Sequence, residues 1–138
     1  MHRILDANIN RAKEGLRVCE EIARFVLDHP GLTQGFKKIR HEMDAAVRGL
    51  PGAPLALLRQ RNSPADVGRK IHAYELKRKN FSDIFYANIQ RVKESARVLE
   101  EFSKLLSAKA ALRFKKIRYG VYEIEKKASR YHDSTGIR

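Results

Sequence analysis

A seventeen-residue stretch of this chain occurs twice. Residues 8–24 read NINRAKEGLRVCEEIAR and residues 88–104 read NIQRVKESARVLEEFSK, so the copies start eighty positions apart and share nine identical residues. A second match, FKKIR, occupies residues 36–40 and 114–118. A long internal repeat predicts one structural unit that is built twice and packed against its copy.

Apolar residues within each copy recur at the three- and four-residue spacing of an amphipathic helix. No segment shows the alternation that favours a β-strand. Four helices are predicted: Arg3 to Leu27, Leu32 to Arg48, Ser82 to Leu106, and a last one capped by Ser107. The expected fold is all-α, an antiparallel helical bundle of two pseudo-twofold-related helical hairpins with a helical or loop connector.

The repeat also predicts the domain organisation. We expect a single helical domain over residues 1–132, with the repeat at 3–49 and 83–128, a connector at 50–82 and a flexible tail at 133–138. Leu55, Leu57 and Leu58 suit a short helix that caps the bundle. The segment from Arg61 to Lys70, RNSPADVGRK, is either a plain connection or a phosphate-binding loop in which Gly68 permits unusual backbone angles.

The charge of the chain indicates the class of its ligands. A formal net charge of +13 attracts nucleotides, phosphorylated metabolites or other anions. The single cysteine excludes an intramolecular disulfide and suits a reducing compartment. No apolar run reaches membrane-spanning length and no signal peptide is evident, so we expect a cytoplasmic protein without a membrane partner.

Two Asn–Arg pairs, Asn8 with Arg11 and Asn88 with Arg91, project into the apolar arc on a helical wheel. A buried guanidinium needs a partner. Either each Arg pairs with the Glu three residues on and the Asn side chains bridge helices, or the two pairs face each other across the pseudo-twofold axis. In the second case they line a polar pocket for phosphate, which the planar fork of Arg suits.

Other charged residues repeat in the same way. The cations are Arg17 with Arg97 and Arg40 with Arg118, and the carboxylates are Glu14 with Glu94 and Glu20 with Glu100. Arg17 and Arg97 also fit solvated ion pairs with the Glu four residues on. The carboxylates suit Mg²⁺ or a general base, or else simply a solvated helix face.

The order of the motifs resembles a known family. A-N-x-x-R-x-x-E-x-x-R-V-x-E-E starts at Ala7 and again at Ala87, F-K-x-x-R starts at Phe36, and R-[DN]-[ST]-x-x-D-V-G starts at Arg61. Together they resemble the all-helical domain often fused ahead of thiamine phosphate synthase, over about Arg3 to Lys127. The resemblance implies a kinase that converts hydroxymethylpyrimidine phosphate to its diphosphate with ATP.

Site residues follow from the matched motifs. The expected catalytic residues are Arg11, Arg91 and Asp66. The expected substrate or phosphate ligands are Asn8, Asn88, Arg17, Arg97, Arg61, Gly68, Arg40 and Arg118. Glu14 and Glu94 are the expected metal ligands, and Mg²⁺ and ATP are the expected cofactors. Asn62 stands where many relatives are expected to have Asp, so no essential carboxylate is placed there.

Two other classes of function stay open. One is a non-catalytic module of the thiamine pathway that binds a phosphate ligand or a partner such as thiamine phosphate synthase. The other is a basic bundle that binds nucleic acid, which is less favoured because aromatic residues are not interleaved with a basic stripe. The sequence also leaves a homodimer open.

Overall fold

The computed structural model of the chain describes residues 1–52, 54–70 and 73–134. In these ranges it is helical and contains no strand, which confirms the predicted all-α class. The helices are α1 (His2–Phe25), α2 (Pro30–Arg48), α3 (Leu55–Arg59), α4 (Phe81–Ser103) and α5 (Ala108–Ser134), with a 3₁₀ turn at Ala73–Leu76. Helix α5 runs into the predicted tail, of which residues 135–138 lie outside the described residues.

The four long helices form a closed ring. Helix α1 packs on α2 and α4, α5 packs on the other sides of α2 and α4, and α3 packs on α1. Helices α1 and α4 are antiparallel, because Gly15 faces Asn88 and Val92 while Cys19 Sγ lies 3.8 Å from the carbonyl oxygen of Phe85. The first hairpin (α1 and α2) therefore packs against the second hairpin (α4 and α5).

The core follows the repeat. Residues 11–20 and 91–100 show the same order of buried, half-buried and exposed positions. The largest fully buried side chains come from all four long helices: Leu5, Leu16, Phe36, Met43, Phe85, Ile89, Phe114 and Val121. Among the described helices, none is both long and apolar enough to cross a membrane.

Helix ends differ from prediction where local caps decide them. Helix α1 ends at Phe25, and Asp28 adopts φ 46° in the turn. His29 then caps α2 by accepting a hydrogen bond from the Leu32 N–H at 3.1 Å. Pro30 and Gly31, expected to lie between the helices, form the first turn of α2, where proline is tolerated because its missing N–H needs no partner.

The second hairpin has its own caps. Asn80, and not the predicted Ser82, caps α4 by accepting from the Asp83 N–H at 2.8 Å. Ser107 caps α5 as predicted, with its Oγ 3.2 Å from the Ala110 nitrogen. In the connector, α3 confirms the expected short helix, of which Leu57 is buried while Leu55 and Leu58 are exposed.

Candidate functional site

Two buried glutamates tie the helices of each hairpin together. Glu20 on α1 accepts a hydrogen bond from Arg40 Nε on α2 at 3.0 Å. Glu100 on α4 accepts one from Arg118 Nε on α5 at 2.9 Å. Each glutamate is only 4 % exposed. The expectation that they lie on a solvated face is wrong, and the equivalent arginine of the partner helix compensates each buried charge. A role as metal ligand or base stays a prediction.

Arg118 shows how strongly this contact is formed. Its hydrogen bond to Glu100, and next its hydrogen bond to the Tyr122 hydroxyl, raise the pKa of the guanidinium above its ordinary value. Nη1 donates to that hydroxyl at 3.0 Å. The side chain is therefore held in place as a permanent cation, with its charge directed at a carboxylate of the protein.

The exposed arginines one turn before these glutamates are also paired. Arg17 Nε lies 2.9 Å from Glu21 Oε1, and Arg97 Nη2 lies 2.8 Å from Glu101 Oε1. These are the solvated pairs that the four-residue spacing favours. The structure thus gives a carboxylate partner to four of the expected phosphate ligands: Arg17, Arg97, Arg40 and Arg118.

The central arginines lie elsewhere than expected. Arg11 and Arg91 are exposed, and it is the next residue in each helix, Ala12 or Val92, that is buried. Their long side chains carry the guanidinium groups away from the core. Among the described residues, neither forms an ion pair with Glu14, Glu94 or another carboxylate.

The two asparagines do not bridge helices. Asn8 Nδ2 donates to the Ile4 carbonyl at 2.9 Å, and Asn88 Nδ2 donates to the Ile84 carbonyl at 2.8 Å. Each amide N–H₂ thus binds the preceding turn of its own helix. The amide oxygens remain as acceptors.

The expectation that both Asn–Arg pairs share one cavity is wrong, as the packing of α1 against α4 shows. A Cβ atom on Gly15 would lie 2.9 Å from the Asn88 carbonyl oxygen, so the helices are in direct contact there. Asn88 is level with Gly15, which lies about 10 Å along α1 from Asn8 at a rise of about 1.5 Å per residue. The cavity beside Asn8 and Arg11 has no lining residue from α4.

That cavity, which we name the connector cavity, lies between the start of α1 and the connector and has a volume of about 450 Å³. It brings together four of the predicted site residues: Asn8, Arg11, Arg61 and Asp66. Arg3, Asp6 and Ser63 also line it. Residues about fifty-five positions apart in the sequence therefore meet here.

An ion pair that the sequence did not indicate holds the connector against α1. Arg61 Nε and Nη2 donate to the two carboxylate oxygens of Asp6 at 2.8 and 2.7 Å. Such a two-point contact fixes the orientation of both groups. The hydrogen bond from Arg61 to Asp6 raises the pKa of Arg61. Asp6 aligns with Tyr86 in the repeat, so the duplication gave no signal for it.

The connector cavity retains uncompensated positive charge. Arg61 neutralises Asp6, while Arg3 and Arg11 are exposed and have no carboxylate partner in the described part of the chain. Asp66 is the other carboxylate in the lining. Its Oδ1 accepts a hydrogen bond from the Gly68 N–H at 2.9 Å. Two free guanidinium groups beside a fixed third one suit a phosphate or carboxylate ligand.

Gly68 and the predicted metal ligands, Glu14 and Glu94, do not line the connector cavity. Gly68 lies outside the cavity lining, and its φ is not in the left-handed region that the sequence suggested. Glu14 and Glu94 are exposed on different helices. Within residues 1–52, 54–70 and 73–134, no three His, Cys, Asp or Glu side chains converge as a metal site requires.

Comparison with known proteins places the chain among thiamine-pathway proteins. The ThiD2 family model matches residues 3–127. The chain is 40 % identical over 126 residues to the thiamine-phosphate synthase of Nostoc punctiforme, covering 91 % of the chain and 34 % of that protein. It is 40 % identical over 121 residues to the thiamine-phosphate synthase of Rhodopirellula baltica, covering 87 % of the chain and 32 % of that protein. No solved structure matches the chain.

The chain thus spans about a third of the length of the curated relatives that it matches. Their names correct the predicted class of enzyme, since they are synthases and not the expected hydroxymethylpyrimidine-phosphate kinase. The predicted relationship to a helical domain that accompanies thiamine phosphate synthase is confirmed in its coarser form. On a match that covers nearly its whole length, the chain belongs to the ThiD2 family.

Proposed function

We propose that this chain is a phosphate-ligand-binding helical domain of thiamine biosynthesis, with the connector cavity as its ligand site. The ligand class is a phosphorylated thiamine precursor such as hydroxymethylpyrimidine phosphate. The pathway is supported by the relatives, which are named thiamine-phosphate synthases. The observation that carries the proposal is the two-point contact between Asp6 and Arg61, which fixes the connector beside two unpaired arginines.

The side chains of the connector cavity divide the work of binding. Arg3 and Arg11 supply charge for the phosphate, which a planar guanidinium contacts through two parallel hydrogen bonds. The hydroxyl of Ser63 and the amide oxygen of Asn8 offer polar contacts to the rest of the ligand. A volume of about 450 Å³ is sufficient for a substituted single ring with one phosphate.

The repeat supplies the matched test. Arg11→Ala removes a cavity cation, and Arg91→Ala removes its counterpart, which is also exposed but does not line the connector cavity. Both changes lower the net charge by one. We expect Arg11→Ala to weaken binding of hydroxymethylpyrimidine phosphate by about tenfold or more, which is about 1.4 kcal/mol, and Arg91→Ala by less than about twofold. Titration calorimetry measures both.

Two further measurements complete this experiment. Inorganic phosphate should compete with the ligand in the wild type, because both use the same cations. Both variants should unfold at the wild-type denaturant concentration, since neither side chain is buried or paired. Equal weakening in the two variants would show a general charge effect, and no weakening in Arg11→Ala would remove the cavity from the binding site.

The remaining expectations stay predictions. These are the cofactors Mg²⁺ and ATP, a thiamine phosphate synthase partner, a homodimer and a cytoplasmic location. Asn88, Arg91, Glu14 and Glu94 do not line the connector cavity, and the present proposal gives them no part in binding there. Asn8, Arg11, Arg61 and Asp66 are the residues to test first, because the connector cavity brings them together.

A further inference from the structure

A larger cavity lies between α2 and α5, away from the connector cavity. This α2–α5 groove has a volume of about 650 Å³ and is lined only by α2, by α5 and by His29, which caps α2. It shares no lining residue with the connector cavity. Its size falls within the range of small-molecule sites, which is roughly 300–1,000 Å³.

The repeat is broken at this interface. Gly35 on α2 lines the groove, and its counterpart in the second hairpin, seventy-eight positions on, is Arg113. At the opposite end of the α2–α5 interface, Arg113 reaches across and donates to the Ala45 carbonyl at 3.3 Å. Gly120 widens the groove from the α5 side, since a Cβ there would have only Ile39 Cδ1, at 4.0 Å, for a neighbour.

The lining combines an apolar floor with a basic rim. Leu32, Ile39 and Ile124 are buried side chains of the floor. The rim carries four cations, Lys38, Lys116, Lys127 and Arg130, against two carboxylates, Glu42 and Glu123. In the described part of the chain, none of these six forms an ion pair, so the rim has an excess of two positive charges.

Aromatic groups close one end of the groove. The rings of His29 and Tyr131 meet edge to face, with centroids 4.3 Å apart. His29 Nδ1 already accepts the Leu32 N–H, which fixes the orientation of its ring. Tyr119 lines the groove further along α5. The groove thus offers ring edges and aliphatic surface for an apolar body, and cations for a charged group at its edge.

We propose that the α2–α5 groove is a second ligand site, which binds a small amphipathic anion. The apolar body of the ligand packs on the floor formed by Leu32, Ile39 and Ile124. Its anionic group, a carboxylate, sulfonate or phosphate, lies at the lysine rim. The charge excess selects an anion, and Gly120 leaves space in the groove that a side chain at this position would fill.

The probe for this site is 8-anilinonaphthalene-1-sulfonate, which has an aromatic body and one sulfonate. The chain has no tryptophan, so the fluorescence of the bound dye is measured without energy transfer from an indole ring. Gly120→Leu places a side chain in the groove, with its Cβ 4.0 Å from Ile39 Cδ1, and raises the helix propensity of α5. We expect this variant to bind the dye at least about tenfold more weakly than the wild type while its circular dichroism and melting temperature are retained.

A pair of charge reversals tests the rim. Lys38 lines the groove, whereas its neighbour Lys37 is exposed outside it. Lys38→Glu should weaken dye binding several-fold more than Lys37→Glu, although both change the net charge equally. Unchanged dye affinity in Gly120→Leu, or equal effects of the two reversals, would overturn the proposal. Should Gly120→Leu unfold, Gly120→Ala adds one methyl group to the same space and must still weaken the dye.

Discussion

The two hairpins contain the same ion pairs but differ in their surroundings. Glu20 with Arg40 and Glu100 with Arg118 form equivalent contacts at 3.0 and 2.9 Å. Around these contacts the hairpins diverge. The first is flanked by the connector, which occurs once in the sequence and is fastened to α1 by Asp6.

This comparison changes the meaning of the polar residues in the repeat. Their identity in both copies suggested paired ligand sites, but the buried glutamates and their arginines are repeated because both hairpins need the same internal contact. The ligand surfaces arise where the repeat fails. Asp6 aligns with Tyr86, and Gly35 aligns with Arg113, and each mismatch lies at a cavity.

The largest effect should come from breaking the shared contact. Glu20→Ala leaves Arg40 without its partner, and Glu100→Ala does the same to Arg118. We expect each change to lower the free energy of unfolding by about 3 kcal/mol, the low end for a broken buried pair because the arginines keep some access to water. Urea unfolding monitored by circular dichroism measures this loss, which should be similar for the two hairpins.

Half-exposed neighbours provide the control for these two variants. Glu21→Ala and Glu101→Ala remove carboxylates that pair with Arg17 and Arg97 at the surface. Each should cost less than about 1 kcal/mol, as exposed ion pairs do. A loss in one hairpin several times that in the other would mean that the repeated contacts are not energetically equivalent.

A smaller effect should come from the contact between α1 and α4. A methyl group on Gly15 would lie 2.7 Å from Val92 Cγ2. In the repeat, the residue equivalent to Gly15 is Ser95 and the residue equivalent to Val92 is Ala12. Gly15→Ser should therefore destabilise by about 1–3 kcal/mol through overpacking. Gly15→Ser with Val92→Ala copies the other pair, so its loss should be about 1 kcal/mol smaller than the sum of the single losses.

Additive losses in that double-mutant cycle would contradict a twofold relation between the hairpins at this contact. The comparison is internal, because the chain already contains Ser95 as a buried residue, 2 % exposed. Unfolding in urea with unchanged slope would show that the variants differ in stability and not in the extent of unfolding.

Most of the fold could be predicted from the sequence because helix pairing follows the repeat and its apolar spacing. Ser107 as a cap and α3 as a short connector helix followed from local residue chemistry. The starts of α2 at Pro30 and of α4 at Phe81 could not be predicted in this way. His29 and Asn80 cap these helices, whereas the sequence favoured starts at Leu32 and Ser82. Helix ends depend on single hydrogen bonds, which composition does not determine.

The candidate site was predictable only in part. The motif at Arg61 indicated the connector, and the cavity does contain Arg61, Asp66 and Arg11. The helical wheel places Arg11 in the apolar arc because it assigns the direction of each residue by angle alone. It takes no account of the length of the side chain. For Glu20 the sequence offers a metal ligand, a base or a solvated residue but not an ion pair with Arg40, because Arg40 lies on another helix and periodicity along one helix cannot show a contact between two.

Cys19 and its counterpart Leu99 differ in chemistry at one buried position of the two hairpins. Both are fully buried, but only the cysteine can ionise. Burial, and next the charge of Glu125, raise the pKa of the Cys19 thiol from 9.0 to about 12. The neutral thiol therefore packs as a small apolar group and should not react with thiol reagents in the folded protein.

This difference predicts an effect confined to alkali, which is a loss of stability that depends on Cys19 of the first hairpin. Below the unfolded pKa the thiol is protonated in both states and contributes no pH dependence. Between the unfolded and folded values the unfolded chain releases the proton and the folded chain keeps it, so stability falls as pH rises, by at most about 1.4 kcal/mol per pH unit. Cys19→Ala removes this contribution. Urea unfolding from about pH 8 to about pH 10.5 should show a steeper decline in the wild type than in the variant, with equal slopes below about pH 8.5, whereas parallel curves throughout would mean that Cys19 ionises alike in both states.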